Sequence, residues 1–248
     1  MSVLTKIYGL ACYGFSMLML VAFIFYANND LGLVGYQTLD IDASDRVAGT
    51  APLLVNIGLL LLFAVQHSVM ARPGFKERLI RVLPPSWERS TYLLATGLVL
   101  LAILLYWQPM GGYLWKVENS LARSVITALY YGGWLVTFLA TFMLNHFHLF
   151  GLQQSFRPND PDAGSKEFKT PFFYQLVRHP IQTGVVIAMI ASPDMSWSRF
   201  VLAAGMLTYV AVGLYFEERD LIAEFGDTYK DYKRRVPAVL PSLYRRER

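Results

Sequence analysis

The chain has 248 residues, of which 54% are hydrophobic and only 16% charged, with a net charge of +4 and a mean hydropathy of +0.36. Soluble domains carry about 25% charged residues, so this composition excludes a disordered, collagen-like or low-complexity chain and points away from a soluble enzyme. The single cysteine, Cys12, excludes an internal disulfide and any multi-cysteine metal or iron–sulfur site.

What is left is an all-α polytopic membrane bundle. A helix needs about 20 apolar residues to cross the hydrocarbon core, and Ile7–Ala27, Ala51–Ala71 and Ser124–Phe150 reach that length without one Asp, Glu, Lys or Arg. Thr91–Trp107 and Phe200–Phe216 are shorter but equally uncharged. Ile181–Pro193 is too short to span comfortably and is closed by Pro193. A tight Asp194–Arg199 connection makes it the first arm of a hairpin with the final helix, so about six membrane segments are expected. The first is expected to be a membrane helix rather than a cleaved signal: no small-x-small site follows its long apolar run, and Gly9–Cys12, which faintly echoes a lipoprotein box, precedes that run.

Charge placement orients the segments. Of the 22 Lys and Arg residues, 18 fall on one face and 4 on the other when the sides alternate, and the richer face is cytoplasmic by the positive-inside rule. Both termini, the Arg72–Ser90 and Gly151–Pro180 loops and the tail are therefore expected in the cytoplasm of a cell whose inner membrane holds the chain. The Asn28–Thr50 loop, with Asp30, Asp40, Asp42 and Asp45, faces the opposite side. The positive charge requires no nucleic acid, because a cationic tail suits an anionic leaflet. Nothing in the sequence sets an oligomeric state. The whole chain, 1–248, reads as one membrane domain, with a four-helix part over 1–150 and a C-terminal part over 168–243. Between them, Arg157–Lys169 reads as a loop from Pro158, Pro161 and Gly164.

The polar residues at membrane edges are the candidates for chemistry. Pro180 suits the first turn of a helix, which places Arg178 and His179 at a helix N-terminus, with Gly184 in its first turns. Free N–H groups there favour an anion, and lipid headgroups are the alternative ligand. Glu217 and Glu218 stand at the end of the last apolar run, either solvated or pointing back along the bundle. Tyr229 and Tyr232 share one face of an amphipathic helix ended by Pro237, with Lys230, Lys233, Arg234 and Arg235 on the others. That helix anchors at the interface, and its tyrosines could also fold over a cation. His67 lies inside the second segment. His146 and His148 are about 200° apart on a helix, so the two do not aim at one site. With no His-x3-His pair, no metal site is expected, and hydrogen bonding or proton handling is the better role for these histidines.

Three blocks then stand out: Leu176-Val177-Arg178-His179-Pro180 with Gly184; Glu217-Glu218-Arg219-Asp220-Leu221; and Phe225-Gly226 with Tyr229, Tyr232, Val236 and Pro237. In order and spacing they resemble the isoprenylcysteine carboxyl methyltransferase and phospholipid N-methyltransferase superfamily. Gln66-His67-Ser68-Val69-Met70-Ala71-Arg72 and Asn145-His146-Phe147 with Leu149-Phe150-Gly151-Leu152 are similar to its bacterial methanethiol S-methyltransferase branch. The chain departs from the pattern at Gln182, where an aromatic residue is usual, and at His148, where an acid is expected.

The resemblance implies an enzyme that uses S-adenosylmethionine, held by the C-terminal part. His179, Pro180, Gly184, Glu217, Glu218, Tyr229 and Tyr232 are then the donor-binding candidates. It also implies methyl transfer to a small thiol, methanethiol giving dimethyl sulfide, with His146, His67 and Arg178 as catalytic candidates. A lipophilic acceptor, such as a prenylcysteine carboxylate or a lipid amine, and a histidine-ligated haem or metal protein are the alternative readings.

Overall fold

The computed structural model describes residues 2–43, 51–157 and 168–241. In chain order the helices are α1 (Val3–Ala27), α2 (Pro52–Ala71), α3 (Pro73–Leu79), α4 (Glu88–Tyr106), α5 (Ser120–Met143), α6 (His146–Leu149), α7 (Leu152–Phe156), α8 (Pro180–Ile190), α9 (Trp197–Phe225) and α10 (Asp227–Arg235). Two short strands, β1 (Tyr113–Lys116) and β2 (Asp194–Ser196), pair antiparallel, with Trp115 opposite Met195 and Lys116 opposite Asp194.

Among the described residues, five helices are long and apolar enough to cross a membrane: α1, α2, α4 with its preceding turn, α5 and α9. Leu54, Leu61, Val65 and Val69 of α2 are exposed, as side chains facing lipid must be. The protein is an all-α integral membrane protein. The eleven-residue α8 extends only about 16 Å, roughly half the hydrocarbon thickness.

Three expected boundaries move. The uncharged run Ser124–Phe150 is not one helix: α5 starts earlier, at Ser120, where the Asn119 side chain accepts a hydrogen bond from the Ala122 N–H at 2.9 Å. It ends at Met143, and Asn145 then turns the chain with a φ of 72°, so His146 and His148 fall on the separate α6. The last helix continues past Phe216 to Phe225, which puts Glu217 and Glu218 inside it. The Asp194–Arg199 connection is filled by β2 and the first turn of α9. Of the expected Arg157–Lys169 loop, residues 158–167 lie outside the described residues, as does Asp45.

The helices form two compact units. The first comprises Met1–Lys116, His146–Ser165 and Asp194–Gly205. In it α1 packs on α4, where Ser16 Oγ donates to the Leu93 carbonyl at 2.8 Å and Gly97 lets the Ser16 and Phe15 side chains approach. The α2 helix also lies on α4, and the fully buried Asn56 amide both donates to and accepts from the Gln108 backbone at 2.8 Å. Such pairing is what a buried amide in a membrane helix requires. Asp42 accepts from Ser196 Oγ at 2.6 Å and from Asn29 Nδ2 at 2.8 Å, and it pairs with the Arg199 guanidinium at 3.5 Å.

The second unit comprises Val117–Asn145, Lys166–Pro193 and Met206–Arg248. Its centre is the close crossing of α5 and α8, where Gly133 faces Gly184 and Thr137 Oγ1 donates to the Ile181 carbonyl at 3.0 Å. A Cβ on Gly133 would stand 2.5 Å from the Gly184 oxygen, and one on Gly184 would stand 2.7 Å from the Thr137 nitrogen. Separating helices packed this tightly costs about 1–3 kcal/mol. Gly184→Val is therefore expected to lower the thermal unfolding midpoint in detergent. Gly132→Ala, at a position with open space around it, is expected to leave the midpoint unchanged or raise it.

Candidate functional site

The sequence Arg178-His179-Pro180 opens α8 as its residue types suggest: His179 is the N-cap and Pro180 the first helical residue. The backbone of this segment is tied to the chain that leaves α10. Arg178 N–H donates to the Pro237 carbonyl at 2.8 Å and His179 N–H to the Ala238 carbonyl at 3.0 Å. Thr183 Oγ1 donates to the Val239 carbonyl at 2.7 Å. Residues 237–239 thus run along the start of α8 as a strap.

The side chains converge on Glu218. Arg178 donates to its Oε1 through Nε at 2.8 Å and also through Nη2. His179 Nε2 lies 3.2 Å from the same oxygen, and Lys233 Nζ of α10 is 2.5 Å from Oε2. The Arg178 guanidinium also donates through Nη1 to the Lys233 carbonyl at 3.2 Å and to the Val236 carbonyl. Glu218 is only 13% exposed, and a carboxylate so placed persists only when paired. Both of its oxygens are used by the protein itself.

Glu217 differs. It is 46% exposed, its Oε1 lies 3.7 Å from His179 Nδ1, and its Oε2 accepts a hydrogen bond from Gln182 Nε2 at 3.1 Å. It is the acid with a solvent-facing side, next to the N-terminus of α8.

Tyr229 and Tyr232 are buried against Phe168, at ring separations of 5.9 and 5.2 Å. The Tyr232 hydroxyl donates to the Tyr174 carbonyl. The buried Tyr229 hydroxyl faces the Arg178–Glu218 pair and makes no hydrogen bond of ordinary geometry among the described residues. Burial pushes both phenols up to about 12, helped at Tyr229 by the Glu218 charge. Burial, again with a nearby glutamate, drives Tyr174 higher still.

The remaining candidates divide. Arg178, His179, Pro180, Glu217 and Glu218 are brought together, with Tyr229 beside them. Gly184 faces Gly133 and Tyr232 faces Tyr174, so packing occupies both. His67 and His146 belong to the first unit. His146 is 2% exposed, with its Nε2 2.8 Å from the Tyr13 hydroxyl and its ring against Phe150, and burial lowers its pKa. His67 is half-buried, stacked on Phe63 at 5.2 Å, with the Tyr92 hydroxyl 2.8 Å from Nε2.

Sequence reasoning missed Lys233 as a partner of Glu218, the strap carbonyls, and Tyr13 and Tyr92. Lys233 had been one more cation on the polar face of α10, and only the fold-back at Gly226 reveals its partner. The tyrosines carry no motif, although a polar residue facing each membrane histidine was a signal to look for.

The fold and this cluster define a helical membrane protein with a buried acid–base site at the N-terminus of a short helix. No family model and no solved structure matches the chain. Curated proteins do. Methanethiol S-methyltransferase of Mycobacterium tuberculosis is 42% identical over 98% of both chains. Methanethiol S-methyltransferase 2 of Bradyrhizobium diazoefficiens is 41% identical over 88% of this chain and 85% of its own. Nurim of Xenopus laevis is more distant, 30% identical over 64% of this chain and 58% of its own. The chain belongs to the methanethiol S-methyltransferase family, and the resemblance read from its motifs is borne out. It is therefore a methyltransferase and works with a methyl donor.

The raised phenols give the site an alkaline limit. Their native pKa values exceed the unfolded value of about 10, so the native state holds protons that the unfolded state has lost. Stability is complete below about pH 10 and falls as pH rises towards about 12. Tyr229→Phe removes a phenol that makes no hydrogen bond of ordinary geometry among the described residues. Its thermal midpoint, followed by circular dichroism, is expected to match the parent at about pH 8 and to exceed it at about pH 11.

Proposed function

We propose that the protein transfers a methyl group from S-adenosylmethionine to methanethiol, forming dimethyl sulfide, with the donor held by the C-terminal part, 168–243. The family names support the acceptor. The observation that carries the donor assignment is the split between adjacent acids: Glu218 is saturated by Arg178, His179 and Lys233, while Glu217 keeps an exposed side.

S-adenosylmethionine supplies a sulfonium-activated methyl group, and it carries an ammonium, a carboxylate and ribose hydroxyls that a site must satisfy. Glu217 meets the ammonium or the ribose, oriented by Gln182 and His179. The N-terminus of α8 at His179 and Pro180 favours the carboxylate. Tyr229, its hydroxyl towards the Arg178–Glu218 pair, lies beside the cluster, and Tyr232 keeps Tyr229 and the strap in place. Arg178 acts at one remove, because its guanidinium is committed to Glu218 and to backbone carbonyls.

The acceptor needs a base, since an alkyl thiol is mostly protonated at neutral pH and the thiolate is the nucleophile. His67 and His146 are the candidates. The 18-to-4 distribution of Lys and Arg supports an inner-membrane protein with both termini, and hence the donor site, on the cytoplasmic side. A small apolar thiol reaches such a site through the bilayer.

Purified protein in detergent, supplied with both reactants, is expected to release dimethyl sulfide detectable by headspace gas chromatography. Glu217→Gln is expected to raise the KM for the donor about tenfold, the loss of one charge-assisted contact, with the KM for the thiol unchanged. No methylated product from methanethiol overturns the acceptor, and an unchanged donor KM overturns the role of Glu217.

A further inference from the structure

We propose that β1 and the aromatic side chains around it form an anchor seated in the phospholipid headgroup layer, where α4 ends and α9 begins. The residues concerned all belong to the first unit. Every residue of β1, from Tyr113 to Lys116, is exposed, whereas Met195 and Ser196 of its partner β2 are buried. Tyr106, the last residue of α4, and Trp197 and Phe200, in the first turn of α9, are exposed as well.

The surface is held firmly from beneath. Ser198 Oγ, wholly buried, accepts the Met110 N–H at 2.7 Å, and Trp197 N–H donates to the Gly112 carbonyl at 3.3 Å. Gly112 has a φ of 85°, and a Cβ there would stand 3.4 Å from the Trp197 ring, which in turn meets Phe200 edge-on at 5.8 Å. Residues three apart on a regular strand point to opposite faces. The irregular register between Tyr113 and Trp115 breaks that alternation, and Lys116 Nζ stands 3.7 Å from the centre of the Tyr113 ring.

Two constraints decide what covers this surface. Hydrocarbon is excluded, because the sheet has two strands among the described residues and lipid chains offer an open sheet edge no hydrogen bonds. Bulk water is a poor match for Tyr, Leu and Trp in a row, with three more exposed aromatic residues at the adjoining helix ends. The headgroup layer meets both demands: it hydrates a backbone and accepts the apolar body of a ring, and Trp and Tyr concentrate there. Lys116, opposite Asp194 in the register, adds a cation on a long apolar stem that suits lipid phosphate. Because α4 and α9 both cross the membrane, this surface begins where their lipid-facing sides end.

The test is a depth measurement on full-length protein in vesicles of phosphatidylethanolamine and phosphatidylglycerol, and it needs no turnover. A nitroxide is attached at Leu114→Cys in a Cys12→Ala background. Its accessibility to oxygen and to an aqueous nickel chelate is calibrated with nitroxide lipids of known depth. The label is expected in the headgroup layer, which is roughly 5–7 Å deep on each side. Indole quenching supplies a second measurement without a cysteine variant. Trp115→Phe is expected to lower quenching by a headgroup-labelled nitroxide lipid and to leave quenching by a chain-end label unchanged. A Leu114 label in bulk water or in the hydrocarbon overturns the proposal. So does a label shielded from both reagents, as a protein cover would shield it, or headgroup quenching that Trp115→Phe leaves unchanged.

Discussion

The Glu218 carboxylate is the interaction on which the second unit depends. A negative charge on a long apolar helix is expensive to bury, and here it is repaid by a guanidinium, an imidazole and an ammonium that come from the start of α8 and from α10. Because Arg178 also holds the Lys233 and Val236 carbonyls, a single acid fixes where α10 lies and where the strap begins. The strap carbonyls then accept the Arg178 and His179 N–H groups, which sets the entry to α8. Removing the acid would leave two or three cationic groups facing one another in a buried place.

Glu217, one residue earlier, lies outside that cluster of cations and keeps an exposed side, with His179 and Gln182 as its partners. The structural charge balance is already met without it. Neighbouring acids that look equivalent in the sequence are thereby separated into a buried, fully paired acid and a half-exposed one by about 100° of helix rotation. In the first unit the polar groups of the membrane helices follow the rule that each must find a partner: Asn56 with Gln108, Ser16 with Leu93, His146 with Tyr13, His67 with Tyr92.

Much of this was legible in the sequence, for identifiable reasons. Charge-free runs of sufficient length marked the membrane helices, since a charge in lipid is costly enough to be kept out of them. Pro180 announced the start of α8 because only a helix N-terminus tolerates its missing N–H. The end of α5 was illegible: Ser124–Phe150 carries no charge, and nothing but the left-handed turn at Asn145 ends the helix. The extent of α9 was misjudged for the opposite reason, because Glu217 and Glu218 looked like a terminus while their buried partners lay elsewhere in the chain. Lys233 was hidden by the turn that delivers it, where Gly226 at a φ of 57° folds α10 back from α9. Hydropathy reports burial by lipid, but not the ion pairs that let a charge join it.

Hydrogen exchange read by mass spectrometry, comparing the parent protein with Glu218→Gln in the same detergent, tests the central claim most directly. If Glu218 fastens the second unit, the variant loses protection across α10, the strap at 237–239 and the amides of Arg178 and His179, while α1, α2 and α4 exchange as before. Unchanged protection in those segments would contradict the account, and so would a uniform loss throughout the chain.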